Sequence, residues 1–153
     1  MTTDSTSSLE RPHLTRSLVN SGLRCTPQRL EVFEVVAHSG DHPTAEEIFK
    51  RAKRTMPDLS FATVYNCLSA LVQHGLVRQV TLDRAPARFC PNMREHCHFY
   101  CDTCGAVLDI DLPQGGSAQL APLPAGYRIS SFDLSLRGTC THCNQSATKP
   151  CCN

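Results

Sequence analysis

The chain has 153 residues, of which 41% are hydrophobic, and a formal net charge of +1. That length admits one compact domain or two small ones, each marginal without staples, and the charge balance argues neither for nor against nucleic acid. No stretch approaches transmembrane length and the first residues hold no apolar leader, so the ten cysteines are expected in a reducing cytosol, as metal ligands or redox groups rather than disulfides.

Residues 1–12 are polar and rich in Ser and Thr, and are expected to form a disordered tail. Three helices are predicted next. The first has Thr26 as N-cap, Pro27 at the first helical position, and Leu30, Phe33 and Val36 on one face. The second opens on a capping box, Thr44 with Glu47, before Ile48, Phe49 and Ala52. The third starts at Ser60, repeats apolar residues at Val64, Leu68, Leu71 and Val72, and stops at Gly75. Cys25 and Cys67 read as small buried hydrophobes. Beyond Gly75 the period changes: "LVRQVTL", a "DRAPA" turn and "RFC" predict a hairpin. Three helices and a hairpin give the order of a winged helix, over 13–89.

Past residue 90 the composition shifts, and "HFYCDTC", "AVLDIDL" and "YRISSFDLSLRGTC" predict strands, with a short helix around 117–120. The second domain is placed at 90–145 and a polar tail at 146–153. The expected fold class is therefore α+β: a winged helix followed by a small α/β domain.

Two Cys-x2-Cys pairs, Cys101 with Cys104 and Cys140 with Cys143, supply four thiolates, the shell of a structural Zn2+. A closed shell leaves no position for substrate or water, so this ion staples rather than catalyses. The competing reading is a pair of redox dithiols. His96 and His98 remain. Two residues apart in a strand, they point the same way and can face a second ion, with Cys90, Asp109 and His42 as candidate partners and Cys97 on the opposite face.

The segments "TPQR", "HPTAEEIF", "ATVYNCLSALVQHGLV", "HCHFYCDTCG" and the late Cys-x2-Cys resemble, in that order, the ferric uptake regulator family. The resemblance covers about residues 14–143. It implies a dimeric, metal-sensing repressor that binds palindromic operator DNA, with an N-terminal winged helix and a C-terminal dimerisation domain. It also implies a structural zinc on Cys101, Cys104, Cys140 and Cys143, and a sensory divalent metal (Zn2+, Fe2+ or Mn2+) on His42, Cys90, His96, His98 and Asp109. Cys90 stands where iron and peroxide sensors have Asp or Glu and resembles zinc sensors, since thiolate favours zinc. Arg78, however, stands where zinc sensors place a further ligand, and His42 resembles the iron and peroxide type. The family's third site has no counterpart in "QGGSAQLAPLPAG", which lacks His and acidic residues.

The predicted recognition helix spans 60–74, with Thr63, Tyr65 and Asn66 outward, and the resemblance singles out Tyr65 for base contact. Arg24 and Arg29 are candidate phosphate contacts, alongside Arg78, Arg84 and Arg88 on the wing. A zinc deaminase is disfavoured because no His-x-Glu motif occurs, so no enzyme, small-molecule substrate or membrane partner is expected. The alternative regulator is a thiol-based redox sensor on the same fold, using Cys90, Cys97, Cys151 and Cys152.

Overall fold

The structure is a computed structural model that describes residues 10–82, 84–116, 123–130 and 132–145. It comprises two compact units that divide between Met93 and Arg94. The sequence places this boundary at 89/90. Cys90 closes the hairpin opposite Arg78 and so lies in the first unit.

The first unit contains α1 (Arg11–Asn20), α2 (Pro27–Ala37), α3 (Ala45–Ala52), α4 (Phe61–Gln73), β1 (Arg78–Val80) and β2 (Arg88–Cys90). Its helix starts follow local capping chemistry. Thr26 accepts the Arg29 amide, Thr44 and Glu47 form the reciprocal capping box, and Ser60 accepts the Thr63 amide at 3.1 Å. Each such cap contributes about 1 kcal/mol relative to Ala. Gly75 ends the helical run at φ 67°, a left-handed conformation suited to glycine. Leu18, Val32, Val36, Ile48, Val64 and Leu71 are fully buried in one core under the four helices.

α1 corrects the expected tail, which the sequence reading extended to residue 12. Leu14 and Leu18, four apart, bury one face of α1 in the core. Arg11 donates to Glu31 at 2.8 Å and pairs with Glu34 at 2.6 Å, which compensates the burial of the Glu31 carboxylate on α2. The α2–α3 connection adds to the hairpin edge. Thr44 bridges Arg88 in antiparallel sense, and the Phe89 amide donates to the Pro43 carbonyl at 3.0 Å. Continuing that register sets His42 opposite Cys90.

The second unit contains β3 (His96–Cys101), β4 (Val107–Asp111), β5 (Ser135–Gly138) and a short helix, α5 (Thr141–Gln145). The sheet order is β4-β3-β5, with β3 antiparallel to β4 and parallel to β5. Alternation gives it two unlike faces. His96, His98 and Asp109 share one. Cys97, Phe99, Leu108, Ile110 and Leu136 share the other, where the last three are about 40% exposed. The strand expected across "YRISSFDLSLRGTC" shrinks to Ser135–Gly138, the length paired to β3 between His98 and Cys101. Residues 123–130 are exposed and outside any ladder. The helix expected around 117–120 and the tails 1–9 and 146–153 lie outside the described residues.

Candidate metal centres

The parallel pairing of β3 and β5 builds the four-cysteine site. Cys101 is opposite Gly138, so both Cys-x2-Cys turns start from the same end of neighbouring strands. The Gly105 amide donates to the Cys101 carbonyl at 2.9 Å and closes the first turn, with Gly105 at φ 73°. The Asn144 amide closes the second on the Cys140 carbonyl, also at 2.9 Å. Asp102 ties the two together: its amide donates to the Gly138 carbonyl at 2.8 Å and its carboxylate pairs with Arg137 at 3.0 Å.

All four Sγ atoms lie within 4.8 Å of one another, with Cys104 and Cys140 3.9 Å apart. A tetrahedral Zn2+ with bonds of about 2.3 Å has ligand edges of about 3.8 Å, so the donor set fits this ion. A disulfide needs about 2.05 Å. The Cys140 amide donates to Cys101 Sγ at 3.3 Å and, together with the Cys104 amide, lowers the Cys101 pKa to about 6. That favours the thiolate, which is the form that binds metal. These four cysteines form a donor cluster consistent with a zinc site.

A second donor set lies on the polar face of the same sheet. His98 and Asp109 are cross-strand partners, and His96 is two residues away on β3. The two Nε2 atoms are 2.9 Å apart, and Asp109 Oδ1 is 3.2 Å from one and 3.4 Å from the other. His96 Nδ1 meets the Arg94 carbonyl at 2.8 Å. A carbonyl only accepts, so Nδ1 carries a proton, which leaves Nε2 as the ring atom that a metal would take. The His98 ring, 2.9 Å away, can donate its own Nε2 proton into this cluster, and a metal would replace that proton. Two imidazoles and one carboxylate suit a divalent transition metal and leave coordination positions open.

The first unit carries a donor pair of its own. A ring nitrogen of His42 lies within 4.8 Å of Cys90 Sγ, and both residues are buried. His42 is the single non-glycine residue at positive φ (51°) among the described residues. This conformation costs about 1–2 kcal/mol for an L-residue. Contacts on either side hold it: Arg51 binds both Asp41 carboxylate oxygens (2.9 Å to Oδ1) and Ser39 Oγ at 2.7 Å, and Arg88 donates to the His42 carbonyl at 2.9 Å. The Arg51 contact also holds the Asp41 carboxyl below its usual range.

On α4, Tyr65 is 56% exposed and Asn66 is exposed, whereas Thr63 is half-buried with Oγ1 2.8 Å from Ser60 Oγ. Arg24 is exposed, and half-buried Arg29 donates to the Arg24 carbonyl at 2.9 Å. Cys67 is buried, which pushes its thiol pKa up, and Cys25 packs half-buried against the core. Of the redox candidates, Cys97 is buried with Sγ 3.5 Å from the Ile110 carbonyl, and Cys151 and Cys152 lie outside the described residues. Sequence reasoning did not find the Arg94 carbonyl that orients His96, because a backbone group leaves no signal in residue identity. No helix among the described residues is long and apolar enough to cross a membrane.

A helical unit with a hairpin wing, followed by a sheet domain with a four-cysteine cluster and a second donor set, has the build of a metal-dependent transcriptional regulator. The profile of the ferric uptake regulator family matches residues 20–137. The peroxide operon regulator of Bacillus subtilis (strain 168) is 35% identical over 130 residues, spanning 84% of this chain and 90% of that protein. The peroxide-responsive repressor PerR of Staphylococcus epidermidis is 32% identical over 130 residues, 84% of this chain and 87% of its own. The Helicobacter pylori ferric uptake regulator superposes with a TM-score of 0.69 at 23% identity, covering 95% of this chain and 97% of that one. The Campylobacter jejuni peroxide stress regulator gives 0.62 at 22% identity, over 86% and 97%. The chain belongs to the ferric uptake regulator family, and its class is the metal-dependent transcriptional repressor.

Proposed function

We propose that this repressor binds palindromic operator DNA as a homodimer, and that one divalent cation shared by His42, Cys90, His96, His98 and Asp109 switches it on. The observation that carries this reading is the convergence of His96, His98 and Asp109 on one point, with His96 oriented by the Arg94 carbonyl. The triad is a partial shell, and the first unit supplies a second partial shell in His42 and Cys90. A cation held by both restricts how the DNA-binding unit turns relative to the sheet unit. It favours the arrangement in which two α4 helices match two half-sites, without touching DNA. Such coupling is typically about 1–3 kcal/mol, or about 5- to 150-fold in operator affinity.

The apolar sheet face of Phe99, Leu108, Ile110 and Leu136 supports the homodimer, since large exposed apolar patches mark interaction surfaces. Tyr65, Asn66 and Thr63 are the base-contact candidates, and Arg24 and Arg29 those for phosphate. Regulation of a peroxide-stress response is the role that the named relatives support. Cys90 makes the sensory shell softer than an all-nitrogen-and-oxygen one, which favours zinc over manganese. Operator binding by fluorescence anisotropy, titrated separately with Zn2+, Fe2+ and Mn2+, tests the reading. The expected result is a metal-dependent gain in affinity. Equal affinity with and without every metal overturns it.

A further inference from the structure

We infer that Arg88 is a positioning residue for the sensory metal: it acts through the backbone of His42 and not through DNA. The inference rests on the reading of His42 as a ligand given above. Arg88 looks at first like a phosphate contact, a cation on a wing strand. Its guanidinium is instead directed inward, with Nη1 donating to the His42 carbonyl at 2.9 Å and lying 3.8 Å from Glu47 Oε2. That same Glu47 oxygen accepts the Thr44 amide at 2.8 Å in the α3 capping box. Arg88 also bridges Thr44 through the backbone, and the next amide, Phe89, holds the Pro43 carbonyl. The strand residues Arg88 and Phe89 thus grip His42, Pro43 and Thr44 in succession, and Cys90 follows on the same strand.

The grip acts where the backbone is least at ease. His42 sits at φ 51° and is followed by proline, so its carbonyl direction and its ring direction are set together. A donor fixed on that carbonyl keeps the imidazole on the Cys90 side. Without it the loop relaxes toward ordinary negative φ and carries the ring away. The chemistry is that of an outer-shell partner, which orients a ligand without binding the ion, and loss of such partners typically weakens metal binding about 10- to 100-fold.

The test measures Co2+ affinity of the full chain, zinc-loaded at the four-cysteine site and free of DNA, by chelator competition. Arg88→Met, Arg88→Lys, His42→Ala and the double variant Arg88→Met/His42→Ala are compared with wild type, with circular dichroism and zinc content as fold controls. Arg88→Met is expected to weaken Co2+ binding about 10-fold or more, Arg88→Lys to restore part of the loss, and the double variant to bind no worse than His42→Ala alone. Should Arg88→Met not fold, Arg88→Lys in the same cycle with His42→Ala carries the comparison, with a smaller expected loss. Wild-type affinity in a folded Arg88 variant while His42→Ala is impaired overturns the positioning role and leaves the sensory reading standing. Losses that simply add in the double variant overturn it too, because Arg88 would then act elsewhere. If His42→Ala also binds Co2+ normally, His42 is no ligand, and both readings fall.

Discussion

Replacing Cys140 with serine tests what holds the sheet domain together. The described residues of that unit bury few apolar side chains: Cys97, Tyr100, Cys101, Val107 and Cys140. Two of these five belong to the four-cysteine cluster, so the apolar support left is slight. Burying a side chain of the Val or Phe class stabilises by about 1.5–3 kcal/mol, before the backbone cost of about 1–2 kcal/mol per ordered residue. Structural zinc in small domains contributes about 10–16 kcal/mol apparent, as much as the whole stability of a typical domain. The variant loses one thiolate of four and also disturbs the turn whose amide holds Cys101 Sγ. Cys140→Ser should therefore lose one zinc per chain, unfold the second unit and abolish the dimer, while the first unit, with its own core from Leu14 to Phe89, stays folded. Zinc analysis, gel filtration and peptide-resolved hydrogen exchange report these separately. Wild-type protection of β3 amides in a zinc-free variant would refute the reasoning.

Further outcomes follow from the other sites. Co2+ in the sensory site should show a thiolate charge-transfer band that disappears in Cys90→Ser; an unchanged spectrum removes Cys90 from the shell. His98→Ala should keep its structural zinc and its salt-sensitive non-specific DNA binding yet lose the metal-dependent gain in operator affinity, and a full gain would show that His98 is not sensory. Tyr65→Ala, at an exposed position on α4, should cost about 1–3 kcal/mol of operator binding with no change in melting temperature. Equal operator affinity in that variant would remove Tyr65 from the base-contact set.

The elements readable from residue order were those written in local chemistry. Thr26–Pro27, the Thr44/Glu47 box, Ser60 and Gly75 each mark a helix end by hydrogen bonds or backbone preference within four residues, and the structure has those ends. The two Cys-x2-Cys pairs were equally plain, because the spacing itself makes the turn. α1 was hidden by its polar surface: its buried face is two leucines, and its stabilising acid, Glu31, lies on another helix. The strand at Ser135–Gly138 was overextended because alternation cannot say where a neighbouring edge ends. The contacts around His42 had no signature at all, since they join Ser39, Asp41, Arg51 and Arg88 through geometry remote in sequence.

The parallel register of β3 and β5 also sets an order of events during synthesis. The first unit has all its core residues once Phe89 is made, and can fold as it leaves the ribosome. The second cannot: Cys101 and Cys104 hold half a shell until Cys140 and Cys143 emerge and β5 pairs beside β3. Closing that loop carries an entropic cost, which the β3–β5 ladder and a metal on the completed four-cysteine cluster would offset together. On the proposed reading, the nascent protein acquires its DNA-reading surface first and its means of pairing last, so a stalled or truncated chain is left with a single reading head and no partner.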